Sequence, residues 1–230
     1  MIIIKNLTKK YDKITALNNV NLIFQNKKVT AIMGENGAGK STLLKICSGV
    51  ISFDSGEIII DEYSIINKSI QALTHIGYLP EMPYMYDRLT GREFLFYIGS
   101  IRKIRDTEKK INDLSNILDI NDFLDYELGS YSKGMKQKIS LISSMIHEPN
   151  NLLLDEPVWG LDPLTSKTLK KFIKDRNGTT VIATHSPQLV EQVANEVYFL
   201  RKGKIVSYGG VEKYIEKYVT IEEAYFSETE

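Results

Sequence analysis

The residues best suited to chemistry stand in one run, Gly34-Glu35-Asn36-Gly37-Ala38-Gly39-Lys40-Ser41, with Thr42 directly after it. The run satisfies G-x-x-x-x-G-K-[ST] at every fixed position. Glycines let a backbone wrap closely around a polyphosphate with its N–H groups turned inward. A helix starting at Ser41 would add its positive N-terminal end. The expected ligand is therefore ATP with Mg²⁺. Gly34, Asn36, Gly37, Ala38, Gly39 and Thr42 would cradle the phosphates. Lys40 would reach the β- and γ-phosphates, and the Ser41 hydroxyl would coordinate the metal. A merely flexible glycine loop is the competing reading, and average residue usage produces the pattern by chance on the order of once in a hundred chains of this length. An apolar strand before it (Val29–Met33) and a helix-forming stretch after it (Ser41–Ile46) decide for the nucleotide.

A second group is Leu152-Leu153-Leu154-Asp155-Glu156-Pro157, an apolar strand carrying two acids at its C-terminal end. Ligands of parallel α/β sheets sit at that end. Asp155 suits the holding of Mg²⁺, a hard ion that takes oxygen ligands. Glu156 suits the polarising of an attacking water. Alone, the motif could be a solvated acidic turn; beside a phosphate loop it reads as the hydrolytic half of the same site.

Elements able to position these groups follow from the hydrophobic patterning. Ile2–Ile4, Val20–Phe24, Val29–Met33 and Glu57–Ile60 are short branched runs between polar turns, the last entered through Asp54-Ser55-Gly56. From Glu81 to Glu148 the pattern turns helical. Thr90-Gly91-Arg92-Glu93 is a capping box, Asp106 or Thr107 opens a second helix carrying Ile111, Leu114, Ile117 and Leu118, and Ser132 opens a third with Ile139, Ile142 and Ile146 on one face. Alternation then resumes: strand Leu152–Leu154, helix Thr165–Asp175, strand Thr179–Ala183, helix Pro187–Ala194. A hairpin pairs Val197–Leu200 with Lys204–Tyr208 around Arg201-Lys202-Gly203. Strands separated by helices imply parallel crossovers, the β-rich start implies an added antiparallel sheet, and the helical stretch reads as an insertion.

Composition narrows the class. The 230 residues suit one large domain, and 43% apolar with 25% charged residues is an ordinary globular balance. Lys+Arg and Asp+Glu both number 29, so no basic excess points to nucleic acid. No apolar run approaches the roughly 20 residues of a spanning helix, and the N-terminus lacks a signal-peptide pattern. The single cysteine, Cys47, excludes an internal disulfide and reads as a small buried hydrophobe.

With the intervening segments, the two motifs resemble the ABC transporter ATPase family over nearly the whole chain. Tyr131-Ser132-Lys133-Gly134-Met135 stands where that family has LSGGQ. Gly160-Leu161-Asp162 looks like its D-loop, His185 in Ala183-Thr184-His185-Ser186 like its switch histidine, and Tyr11 like the aromatic that stacks on adenine. The resemblance implies an α/β P-loop NTPase (RecA-like) parallel-sheet core with an N-terminal antiparallel β subdomain and an inserted α-helical subdomain. Residues 1–80 plus 149–230 would form the catalytic core and 81–148 the helical part. It also implies ATP hydrolysis powering a transmembrane permease subunit, a second nucleotide-binding subunit (a homodimer by default), and no direct nucleic-acid contact. The chain would sit in the cytoplasm, peripheral at the inner face of the cell membrane. Ser132 and Gly134 would serve nucleotide held by the second subunit; Asp162 would join the nucleotide site or stand as a turn residue ahead of Pro163; His185 would meet the γ-phosphate.

Two motifs depart from the family pattern. Lys133 and Met135 replace the first glycine and the glutamine of LSGGQ, and a thioether cannot reproduce an amide's hydrogen bonds. Glu81, in Gly77-Tyr78-Leu79-Pro80-Glu81, replaces the Q-loop glutamine and can ligate Mg²⁺ or stand as an exposed acid. Together with Leu89–Glu93 and the tail Ile221–Phe226, these departures resemble an exporter branch with separately encoded membrane subunits. Met82-Pro83-Tyr84-Met85-Tyr86 is either a docking surface for that partner or packing for the helical part. The competing functions are a soluble ABC-type ATPase acting on nucleic acid or ribosomes, and a non-catalytic ATP-gated regulator.

Overall fold

The computed structural model describes residues 1–229. Two sheets organise it. The antiparallel sheet has the order β2-β1-β4-β5, from β1 (Ile2–Tyr11), β2 (Ile14–Phe24), β4 (Ser55–Ile60) and β5 (Tyr63–Ser64). Its first two strands run well past the apolar stretches visible in sequence. Register shifts absorb the polar residues between them, and Asn6 and Asn19 take left-handed backbone (φ 51 and 53), which asparagine tolerates.

The larger sheet has the order β10-β9-β3-β8-β7-β6. It comprises β3 (Val29–Met33), β6 (Ile76–Leu79), β7 (Asn151–Asp155), β8 (Thr179–Thr184), β9 (Glu196–Arg201) and β10 (Lys204–Gly210). The strands from β9 to β6 are parallel, as the strand–helix alternation implies. Strand β10 returns antiparallel through Lys202-Gly203, both at positive φ (47 and 74), the backbone of a two-residue hairpin. Strands β3, β7 and β8 are buried at every position, which is why they read as continuous apolar runs rather than alternating ones. Strands β5 and β6 were not anticipated, being too short to show a period.

Helix α1 (Lys40–Cys47) packs Leu43, Leu44 and Ile46 between the two sheets, against Leu153, Val181 and Ala183. Cys47 lies in the same cluster, and burial pushes its thiol up to about 12, so it serves as packing. A short α2 (Ser69–Thr74) precedes β6. The helical insertion supplies α3 (Gly91–Ile101), α4 (Thr107–Ile117) and α5 (Lys133–Met145). Thr90 and Glu93 form both bonds of the capping box, at 3.1 and 2.8 Å. Ser132 caps α5 through the Met135 N–H at 3.2 Å. Asp106, by contrast, caps nothing: its backbone is left-handed (φ 53) with no side-chain bond. Ile117 is 47% exposed, although its spacing suggested a buried face. Ile139, Ile142 and Ile146 share one apolar cluster with Leu79, Leu152, Leu154 and Ile182, so the insertion is fastened to the sheet by common packing.

Helices α6 (Pro163–Asp175) and α7 (Pro187–Val193) are the crossovers after β7 and β8. Two further helices, α8 (Val211–Tyr218) and α9 (Ile221–Thr229), close the chain by packing Tyr214 and Tyr225 against Phe199, ring centroids 5.1 and 5.5 Å away. Among the described residues no helix is long and apolar enough to cross a membrane.

Candidate nucleotide and catalytic site

Strand order builds the site. Strands β3, β8, β7 and β6 are consecutive neighbours, and their C-terminal ends deliver, in turn, the 34–41 loop, His185, the Asp155–Glu156 pair and the segment leading to Glu81. All four meet at a cavity of about 750 Å³. Asn36, Gly37, Gly39, Lys40, Ser41, Thr42, Glu81, Asp155, Glu156 and His185 line it, joined by Ile14, Thr15, Ala16, Trp159, Lys202 and Gly203.

The loop backbone is shaped by close approaches. A Cβ on Gly34 would lie 2.2 Å from the Leu200 carbonyl oxygen. At Gly39 the backbone is left-handed (φ 111) and a Cβ would meet the Ala16 carbonyl oxygen at 2.5 Å, so no side chain fits at this helix entrance. Gly34 and Ala38 thus frame the loop from behind rather than lining the cavity; Ala38 is buried, its carbonyl accepting from the Gly203 N–H at 2.9 Å. Lys40 donates to the carbonyls of Gly34 (2.7 Å) and Glu35 (3.1 Å). Burial lowers its pKa, while the carboxylates of Glu156, Asp155 and Glu81 oppose that shift.

Asp155 is 1% exposed and neither carboxylate oxygen has a hydrogen-bond partner. Burial pushes its carboxyl up to about 6, helped by Glu81 and Glu156 and opposed by Ser41 and Lys40. A buried, unpartnered carboxylate is costly unless something cationic completes it. Ser41, Asp155 and Glu81 together offer oxygen donors only, the set a hard divalent ion takes, so Mg²⁺ fits these residues.

Glu156 has the left-handed backbone (φ 47) rare for a side-chain-bearing residue. Neighbouring β8 holds it there. The Glu156 N–H donates to the Ala183 carbonyl at 2.9 Å. Its Oε2 accepts from the Thr184 hydroxyl (2.9 Å), and its Oε1 from the His185 N–H (2.9 Å) and His185 Nδ1 (2.6 Å). Strain of this kind at a carboxylate facing a cavity is characteristic of functional positions.

Besides Gly34 and Ala38, four expected residues lie apart from the cavity lining. Tyr11 stands at the end of β1, 44% exposed, with Lys9 Nζ 5.1 Å from its ring; its ladder partner Ile14, not Tyr11, lines the cavity. Ser132 and Gly134 open α5 outside the lining. Asp162 caps α6 through the Thr165 N–H (2.9 Å) and hydroxyl (2.6 Å), bonds that hold its carboxyl down at about 2. Within one chain, then, Asp162 has the structural job of a turn residue. In the 82–86 segment, Met82, Tyr84 and Tyr86 are 60, 87 and 62% exposed, whereas Met85 packs inward against the helical cluster.

Comparison with known proteins agrees with this geometry. A sequence profile described as "ABC transporter" matches residues 17–159. The chain belongs to the ABC transporter family. The lantibiotic transport ATP-binding protein SrtF of Streptococcus pyogenes is 34% identical over 209 residues, covering 90% of this chain and 89% of that protein. A solved "ATP binding subunit of ABC transporter" superposes with a TM-score of 0.92 at 25% identity over 100% of both chains. The ATP-binding cassette MJ0796, solved as a dimer in a post-hydrolysis state with ADP and Pi, superposes with a TM-score of 0.82 at 26% identity over 91% of this chain and 98% of that one. This ABC chain is accordingly an ATP-binding ATPase subunit of a transporter, of a class whose cassettes dimerise and work with transmembrane subunits.

Sequence reasoning missed Thr184, although it stood beside His185, because its partner Glu156 is distant in the chain. It also missed Trp159. The signal there was available: a lone tryptophan inside an otherwise glycine- and proline-rich loop.

Proposed function

We propose that two copies of this chain close head-to-tail around two Mg²⁺-bound ATP molecules, and that closing and reopening drive a membrane-embedded permease that exports its cargo. One separation supports this reading. Lys40, Asp155, Glu156 and His185 converge on one cavity, while the α5 entrance at Ser132 and Gly134 lies outside it. A helix entrance is suited to a phosphate, and here that phosphate would be a partner's. In each composite site Asn36, Gly37, Gly39, Lys40 and Thr42 hold the phosphates on a loop that Gly34 and Ala38 shape from behind, and Tyr11 stacks on adenine from the rim. Ser41, Asp155 and Glu81 would hold Mg²⁺, which would supply positive charge to the triphosphate. Glu156 polarises the water and His185 meets the γ-phosphate. From the other copy come Ser132, Gly134 and Asp162. Hydrolysis removes negative charge that bridged the two halves, and the interface reopens.

Export is favoured by the likeness to a protein named for lantibiotic transport and by the branch features at Glu81, Lys133 and Met135. The permease would bind the cassette at the cytoplasmic face of the membrane, through Met82, Tyr84 and Tyr86 on the 81–148 helical part. A large exposed aromatic and methionine patch is the composition such contacts use.

Complementation tests the shared site. A Lys40→Ala chain and a Ser132→Arg chain should each be inactive alone. Mixed at random, they should recover about a quarter of parent activity, because half the pairs regain one whole site. No recovery on mixing would refute the head-to-tail arrangement. Tyr84→Asp should abolish co-purification with the permease while leaving the isolated chain's ATPase intact; loss of both would return the segment to packing.

A further inference from the structure

The chain's only tryptophan, Trp159, lies three residues beyond Glu156 and lines the nucleotide cavity beside Glu156, His185, Asn36 and Gly37. The ring also has a cationic partner. The Lys133 ammonium, on the first residue of α5, stands 2.8 Å from the centroid of the indole. This is a cation–π contact made by two residues that neither the phosphate loop nor the acidic strand uses.

Further contacts join the same two segments. Gly134 backs so closely onto the Gly160 carbonyl that a Cβ would approach it to 2.7 Å. Lys138 on α5 pairs with Asp162 at 3.6 Å. The Trp159 N–H returns to the Glu156 carbonyl at 3.1 Å, so the indole is carried on the turn that sets the Glu156 backbone.

We propose that Trp159, clamped by Lys133, is a positioning residue of the ATPase centre: its indole walls the cavity beside Glu156 and His185 and ties the Glu156 turn to the entrance of α5. Nucleotide held in the chain's own cavity is thereby linked to the Ser132–Gly134 turn that the chain offers to a partner. A flat apolar ring there also limits access of bulk water to the carboxylate that polarises the reacting one. The inference rests on the composite-site reading above.

Because the indole is the only tryptophan, its fluorescence reports on this position alone. Titration of the full chain with Mg²⁺ and ATP should change the emission saturably, at the concentrations that support turnover. Trp159→Ala should lower kcat about tenfold while leaving KM within about twofold, since the phosphate cradle is intact. Trp159→Phe should restore most of that loss by keeping an aromatic face. Lys133→Met should lower kcat comparably, and the double variant should be no worse than Trp159→Ala, the non-additivity of residues acting as one unit. Trp159 is 42% exposed, so these changes leave the folded core whole, which unchanged thermal melts would verify. Near-parental kcat in Trp159→Ala, additive losses in the double variant, or emission indifferent to nucleotide during active turnover would each overturn the proposal. Failure of the mixed-chain complementation would strike the composite-site reading instead and would leave the kcat and emission responses as measured.

Discussion

Replacing Glu156 by Gln separates the chemical role of this carboxylate from its structural one. The carboxylate accepts three hydrogen bonds: the Thr184 hydroxyl on Oε2, and the His185 N–H and Nδ1 on Oε1. Glutamine has the same shape and keeps one acceptor oxygen for both His185 donors. Its NH₂ group then faces Thr184 Oγ1, which already accepts from the Ser186 N–H at 3.1 Å and can accept again by turning its own hydrogen away. The structural cost is one weakened set of hydrogen bonds, about 1 kcal/mol, or a fall in Tm of about 2–4 °C for a chain of this size. The chemical cost is far larger. Losing the group that polarises water removes about 10²- to 10⁴-fold in rate, equivalent to about 3–5 kcal/mol of barrier. Phosphate release should therefore collapse while ATP binding and the melt stay near parental, and gel filtration with Mg²⁺ and ATP should show an accumulated dimer. Turnover within about twofold of the parent would refute the assignment of Glu156. A large drop in Tm would refute the argument that glutamine satisfies the same donors.

Asp155 should show the opposite balance. Its raised pKa means that between pH 4 and about 6 the folded chain holds a proton the unfolded chain has lost, so stability falls as pH rises through that window and stays reduced above it. Asp155→Asn should therefore raise the unfolding free energy at neutral pH by about 3 kcal/mol in metal-free denaturant melts while abolishing hydrolysis. His147 has the reverse sign. Half-buried near Arg102, Lys110 and Arg176, with Nε2 donating to the Ile76 carbonyl at 2.9 Å, it is desolvated and its pKa is pushed down to about 4. Stability should be lost as pH falls from 6.5 toward 4, by up to about 3 kcal/mol, and His147→Gln should flatten that limb in melts compared at pH 5 and 7.5. Gly134→Ala must push the Gly160 carbonyl aside. It should cost about 1 kcal/mol or more and block ATP-dependent dimerisation in sizing experiments, while a fluorescent ATP analogue still binds the chain's own cavity.

Much of the site was legible because its chemistry is local. The 34–41 loop needs closely spaced glycines, a lysine and a serine, and strand β7 needs three leucines before two acids; each is contained in a window shorter than ten residues. The capping box at Thr90–Glu93 and the cap at Ser132 were legible for the same reason, since a helix end is satisfied by residues three apart. The second helix does open where Asp106 and Thr107 stand, with Thr107 its first residue; Asp106 holds the cap position without a side-chain bond because its backbone there is left-handed rather than extended. The lengths of β1 and β2 were hidden because asparagine bulges interrupt their period.

What no local window contains is strand order. The contact between Glu156 and His185, 29 residues apart, exists because β7 and β8 lie side by side in parallel register, Asp155 opposite Ala183. Glu81 reaches the same cavity because β6 pairs with β7. The clasp of Lys133 on Trp159 exists because the start of α5 is packed onto the turn after β7. Residue types announced a nucleotide and a hydrolytic carboxylate. Which side chains touch that carboxylate, and which face away toward a second subunit, was set by long-range sheet pairing and shared core packing, whose energies depend on residues far apart in the chain.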